Sequence, residues 1–182
     1  MGWLKEGAQA LKKQGAIVNA MEASSLNIIG RFLGAEDIAL DVEVSGKAEL
    51  LDLIGRQMEL QHDLPHESVA PGLSRREQLG STALGQGVAI PHCRVKNLDR
   101  ILPAYLRLRQ PIPFDAPDGK PVFDVLVLLV PKQATEEHLQ ILADATQLFS
   151  DRQFRARLQQ CVNPSEVEGL FRVWPRLPQP AF

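Results

Sequence analysis

The chain is poor in cysteine, in aromatic residues, in positive charge and in long apolar runs. Each shortage removes a class of protein. Two cysteines, Cys93 and Cys161, are too few for a disulfide framework and lack metal-ligand spacing, so reduced thiols in a cytosolic protein are the expectation. Twenty Lys and Arg stand against 22 Asp and Glu, a net charge of −2. That balance argues against a nucleic-acid binder, which would carry a basic excess. The longest purely apolar run, Val125 to Val130, is a strand's length and far short of a membrane span. No apolar segment of the signal-peptide kind stands near the start, so the expected location is cytoplasmic. No repeat or low-complexity tract is visible. At 182 residues, with 45% apolar and 23% charged, the chain suits one soluble domain with a real core.

What is present is an ordered series of helix and strand signals. Residues 1–25 read as an extension. Trp3, Leu4, Ala8, Leu11, Ile17, Val18 and Met21 line one side of a helix that Gly2, Gly7 and Gly15 weaken. It is expected to pack on its own domain or on a second copy in a homodimer, or to fray, rather than to lie on a membrane. Ser25–Leu33 reads as a short helix closed by Gly34. Ile38–Val44 alternates apolar and acidic residues as a half-exposed strand does. Ser45 is expected to cap a helix running to about Gln61, with Leu50, Leu51, Ile54 and Met58 inward.

His62-Asp63-Leu64-Pro65-His66 reads as a connection. Its histidines have i,i+4 spacing, but Pro65 breaks the helix a metal pair would need. Pro65 and Pro71 bracket a short helical stretch, and helical turns resume over Leu73–Leu79. Val88–Ile90 and Ile101–Leu108 read as strands, and Pro111–Pro121 as turn chemistry around Asp118-Gly119. Val122–Val130 is the most buried strand, ended by Pro131. Helices follow from a Thr135 cap to about Phe149, over Asp151–Leu158, and from Asn163-Pro164, a cap followed by an N1 proline. Residues 175–182 form a proline-rich tail. The mixture implies an α/β (α+β) sandwich around a mixed four- to five-stranded sheet.

The segment Arg76-Glu77-Gln78-Leu79-Gly80-Ser81-Thr82-Ala83-Leu84-Gly85-Gln86-Gly87-Val88-Ala89-Ile90-Pro91-His92 is the one the chain is organised around. Pro91 cannot donate to a strand ladder, so the strand is expected to stop there and present His92 at its end. The glycines permit tight turns and close approach to a ligand. Ser81 and Thr82 add hydroxyls. Donors grouped around a histidine suit an oxyanion or phosphate. A nucleotide phosphate loop is a poorer fit, because Gln86-Gly87 stands where Lys-Ser/Thr is required and a strand follows instead of a helix. The glycines also precede the strand, unlike a dinucleotide fingerprint, and Ser81 lacks the elbow of a serine hydrolase. A plain glycine-rich turn before a buried strand is the bland alternative. His138, three residues after Thr135, falls in the first turn of a helix, where the dipole favours a neutral ring and nearby anions. Arg94, Lys96 and Arg100 either favour the approach of phosphate or form a solvated face.

Glu77, Leu84, Gly85, Val88, Ala89, Ile90, Pro91, His92 and Cys93 carry a family resemblance. The chain resembles the fructose/mannitol-type enzyme IIA domain of the bacterial phosphoenolpyruvate-dependent phosphotransferase system over about residues 26–174. Gly80-Ser81-Thr82 and Pro111-Ile112-Pro113-Phe114-Asp115-Ala116 are most like its nitrogen-regulatory branch. The resemblance implies a three-layer α/β/α fold with helices on both faces of a mixed sheet. It implies that His92 accepts phosphate on its ε-nitrogen from a small histidine phosphocarrier protein, that Arg76 contacts the phosphate, and that His138 orients or donates. Ser81 and Thr82 are further phosphate-binding candidates. No cofactor and no metal are implied. Regulated targets, by resemblance, include potassium transport and sensor kinases. Two departures stand out: Ala83 and Cys93 replace glycines of many members, and Cys93 leaves open redox interference or adventitious metal binding at His92. The alternatives are a sugar-transport IIA passing phosphate to a IIB protein, a non-phosphorylated binding module, and a zinc hydrolase using His92, His138 and a carboxylate.

Overall fold

The computed structural model describes residues 28–133 and 136–175, with the backbone alone for residues 136–138. The expected extension, the Thr135 cap and the tail beyond residue 175 lie outside the described residues. A helix α1 (Ile28–Phe32) and a 3-10 turn (Ala35–Asp37) lead into strand β1 (Ile38–Val42). Helices α2 (Lys47–His62) and α3 (His66–Gln78) follow, then strands β2 (Ala83–Gly85), β3 (Val88–Ala89), β4 (His92–Val95), β5 (Leu102–Ile112) and β6 (Val122–Pro131). Helices α4 (Glu136–Ser150), α5 (Arg152–Gln160) and α6 (Pro164–Val173) complete the described chain.

The sheet is mixed, in the order β1-β5-β6-β3-β2, with β4 also on β6. β5 and β6 pair antiparallel at its centre, and β1 lies parallel to β5. Side chains alternate across β6 with the period of two that strands impose. Val125, Val127 and Leu129 join Leu50, Leu51, Ile54, Met58, Val69 and Leu73 under α2 and α3. Leu126, Leu128 and Val130 join Ile141, Ala145, Leu148, Phe154 and Phe171 under the other helices. Helices cover both faces, and the result is three layers.

Pro91 interrupts a strand rather than ending it. β3 and β4 pair with β6 in one continuous register, from Val88↔Asp124 and Ala89↔Val125 to His92↔Leu128 and onward to Val95↔Pro131. The proline forfeits only its own N–H, while its carbonyl still accepts from the Leu128 amide at 3.0 Å. His92 therefore opens a new strand segment. The small-residue loop ahead of it is a hairpin. Gly85↔Val88 pairing leaves Gln86-Gly87 as a two-residue turn with φ of 56° and 80°, as a type I′ turn requires. A Cβ on Gly87 would lie 2.1 Å from Phe123 Cε1, so only glycine fits.

Three expectations on the helices and strands are corrected. Pro71 lies inside an unbroken α3. Its missing hydrogen bond costs about 3 kcal/mol, but Val69, Ala70 and Leu73 are buried on the same helix, and such burial stabilises by about 1.5–3 kcal/mol per large side chain. Ser45 does not cap α2. Gly46 is the cap residue, and the Ser45 amide and hydroxyl both donate to Glu49 Oε2 at 2.7 and 2.5 Å. β5 runs on through Pro111 to Ile112, which pairs with Val122 across an irregularity in register. The Asn163 cap is as the spacing indicates: its side chain accepts from the Glu166 amide, with Pro164 next.

Candidate active site

His92 takes its place from β4 and its orientation from two hydrogen bonds. Nδ1 lies 2.9 Å from the carbonyl of Ile90. A carbonyl only accepts, so Nδ1 carries the ring proton. Nε2 lies 3.0 Å from Arg76 Nε, whose N–H can only donate. The ε-nitrogen is therefore the one with the free lone pair. Burial pulls the imidazole below its ordinary pKa and the Arg76 charge adds to that, while the bond to Ile90 and the Glu77 charge oppose it. The ring is neutral at physiological pH and nucleophilic at a defined atom.

Arg76 stands in the last turn of α3. Besides the ring, it donates from Nη1 to the Gly80 carbonyl at 3.0 Å. Its neighbour Glu77 turns inward and is only 8% exposed. Glu77 Oε1 accepts from Lys47 Nζ at 2.9 Å, and Oε2 accepts from the Thr82 amide and hydroxyl at 3.0 and 2.6 Å. Lys47 also reaches Asp115 at 2.7 Å and lies 4.7 Å from the centroid of the Phe114 ring. Partial burial pulls the Lys47 pKa down, but the hydrogen bonds and charges of Asp115 and Glu77 prevail and raise it.

This arrangement gives Ser81 and Thr82 a different employment from the expected one. Each hydroxyl has one proton to donate. Thr82 gives its proton to Glu77, and Ser81 gives its proton to the Phe114 carbonyl at 2.5 Å while accepting from the Ala83 amide. The Gly80 amide is likewise taken, by the Glu77 carbonyl at 3.1 Å. These groups hold the loop together, and Arg76 is the donor they leave at the ring. His138 falls in the first turn of α4, but its side chain lies outside what the structure describes.

Cys93 points away into the core. Its thiol is within 3.9 Å of the Val69 carbonyl, and burial pushes its pKa up to about 11. That removes the thiolate that redox or metal chemistry would need. Arg94, Lys96 and Arg100 are exposed. His62 and His66 engage different carboxylates, Asp37 at 2.5 Å and Asp52 at 2.7 Å, so their i,i+4 spacing serves separate hydrogen bonds. Among the described residues no group of three or more His, Cys, Asp or Glu is placed to hold a metal ion. No helix among them is long and apolar enough to cross a membrane.

The family model described as "Phosphoenolpyruvate-dependent sugar phosphotransferase system, EIIA 2" matches residues 31–172. A nitrogen regulatory protein of Pseudomonas aeruginosa is 39% identical over 125 residues, 69% of this chain and 77% of that protein. The crystal structure of nitrogen regulatory protein IIA-Ntr from Neisseria meningitidis superposes with a TM-score of 0.75 at 42% identity, covering 80% of this chain and 99% of that one. The mannitol enzyme IIA of Escherichia coli, solved in complex with phosphorylated enzyme IIB, shares the fold at a TM-score of 0.64 and 22% identity, over 76% of this chain and 95% of that one. With these matches and that site, the chain belongs to the EIIA type 2 family of the phosphoenolpyruvate-dependent phosphotransferase system, as a component like the nitrogen regulatory IIA proteins.

Proposed function

We propose that His92 accepts a phosphoryl group from a phosphorylated histidine phosphocarrier protein and that its phosphorylation state selects partner proteins. The observation that carries this reading is the 3.0 Å bond from Arg76 Nε to His92 Nε2, which marks an unprotonated nitrogen beside a guanidinium. The Nε2 lone pair attacks phosphorus in line. The N–P bond of the donor phosphohistidine breaks, and its electron pair returns to the donor ring. No proton changes hands, because Nδ1 keeps its hydrogen against Ile90. Positioning and charge stabilisation are what such a transfer needs. Once Nε2 is bonded to phosphorus it can no longer accept from Arg76, so the guanidinium is released toward the phosphoryl oxygens.

Arg76 is thus the phosphate-contacting residue in this proposal, and His138 a second candidate on α4. Likeness to nitrogen regulatory proteins favours regulation in the cytoplasm over sugar uptake. Transfer onward to a IIB protein is a second reading, favoured by the complex in which the mannitol enzyme IIA was solved. Incubation with phosphoenolpyruvate, enzyme I and the phosphocarrier should leave one acid-labile, base-stable phosphoryl group on the protein and none on His92→Ala. Uptake by His92→Ala would move the acceptor to another residue and reject the proposal, and no uptake by the wild type would reject it in favour of a binding module. Chasing the labelled protein with candidate IIB proteins separates the two phosphorylated readings.

A further inference from the structure

Arg76 touches the ring, but nothing about an arginine in the last turn of a helix fixes where its guanidinium points. Long side chains lose rotamer freedom when held in one geometry, so something must hold it. It donates to His92 Nε2 and to the Gly80 carbonyl. The second of these sits on the loop between α3 and β2, and that loop is tied down at Thr82. The tie is Glu77, the residue next to Arg76: it takes both the amide and the hydroxyl of Thr82 on one oxygen. Its other oxygen takes Lys47 at the start of α2, and Lys47 reaches on to Asp115. α2 and the loop after α3 therefore meet on one buried carboxylate of α3, and Lys47 ties the loop after β5 to it.

We propose that Glu77, clamped by Lys47 and Thr82, is a positioning residue that holds Arg76 on the ε-nitrogen of His92. The inference rests on the reading of His92 as phosphoryl acceptor. Glu77 does not touch the ring. It acts in two ways. It fixes the Gly80 carbonyl that receives one arm of Arg76, and its charge opposes that of Arg76 at the imidazole. Lys47 screens that charge. Among the described residues, Arg76 and Glu77, both on α3, are the charged groups that act on the His92 ring.

The pair gives a test with opposite signs. In Glu77→Gln the negative charge goes, and the amide cannot accept from both Lys47 and Thr82 through equivalent oxygens. In Lys47→Gln the negative charge stays and loses its screen. The His92 pKa, read from its ring nitrogens by NMR of the full-length protein, should fall in Glu77→Gln and rise in Lys47→Gln. Single-turnover phosphoryl uptake by Glu77→Gln should slow by about 10- to 100-fold, the scale of a displaced catalytic contact. Half-saturation by the phosphocarrier should stay the same. A brace with a merely structural role would lower Tm and leave the titration and the uptake rate of folded protein unmoved, and that result overturns the inference. So does a pKa shift of one sign in both variants. Should Glu77→Gln fail to fold, Lys47→Gln carries the test alone, since its site is partly exposed and a raised pKa is still required. Absence of uptake by the wild type would instead defeat the acceptor reading, while the two titrations would still decide whether the clamp sets the ring.

Discussion

Two arginines serve this molecule in the same way and to different ends. Arg107, on β5, donates from Nη1 to the Cys161 carbonyl at 2.8 Å and from Nη2 to the Leu158 carbonyl, at the C-terminal end of α5. Its Nε meets the Tyr105 hydroxyl at 3.3 Å and lies 3.7 Å from Asp124 Oδ1. Tyr105 in turn donates to Asp124 at 2.5 Å. A cation on the last carbonyls of a helix, with a buried carboxylate behind it, is a stabilising clasp. Tyr105 also packs on Phe171, which joins Phe154, Phe149 and Trp174 in an edge-to-face cluster. Arg76 also spans a backbone carbonyl and a side chain. There the side chain is an imidazole nitrogen whose lone pair the proposed reaction consumes. The first arginine has acceptors that last as long as the fold. The second has one that chemistry can remove, and this difference separates a structural contact from a reactive one.

Substitution at each arginine should break the comparison in opposite directions. Arg107→Ala strands Asp124, which is fully buried, without its counter-charge. The expected loss is about 3–5 kcal/mol of stability, seen as a lower denaturant midpoint, with uptake per folded molecule unchanged. Arg76→Ala should do the reverse. Uptake should slow by about 10²- to 10³-fold, the scale for losing one transition-state donor, while the melting temperature barely moves. Tyr105→Phe sharpens the structural half. It takes the hydroxyl from Asp124, whose pKa burial already raises against the Tyr105 bond and the Arg107 charge. A loss of about 1.5–3 kcal/mol is expected.

The smallest effects are in pH dependence, and their signs differ between the two regions. His92 has a depressed pKa in the folded state. The unfolded chain therefore binds a proton first on acidification, near pH 6.5. The stability His92 contributes is present above that pH and is lost as pH falls through the depressed value. Uptake should fall over the same acid limb, because a protonated Nε2 has no lone pair. Asp124 runs the other way: its pKa is raised, so its contribution is complete below its ordinary carboxylate value and is lost as pH rises through the raised one. His92→Gln should flatten the acid limb of the stability curve and leave the Asp124 limb in place, as urea midpoints across pH would show.

Much of this was legible in the residue order, because the dominant signals were local. The near-continuous apolar run Val122–Val130 tells of a strand buried on both faces, and Asn163-Pro164 of a helix start. Pro91-His92 points to the ring on which the proposed transfer turns. What escaped was set by tertiary partners. Nothing about Pro71 announces that Val69 and Leu73 will hold a helix together around it. Gln86-Gly87 lacks the Asn or Asp that usually marks a type I′ turn, so the sequence does not announce β2. Ser81 and Thr82 offer hydroxyls ahead of His92 in the sequence, but spacing does not say that one turns to the Phe114 carbonyl and the other to Glu77. Lys47 gives no signal, since its partner Glu77 is 30 residues away, near the far end of the next helix. The tautomer of His92 became legible only with the Ile90 carbonyl in place.

The most direct measurement is the nitrogen to which phosphorus becomes attached. After phosphorylation of ¹⁵N-labelled protein, phosphorus–nitrogen coupling should appear at His92 Nε2 alone, with Nδ1 still protonated against Ile90. Coupling at Nδ1, or a phosphoryl group on any other residue, would contradict the account.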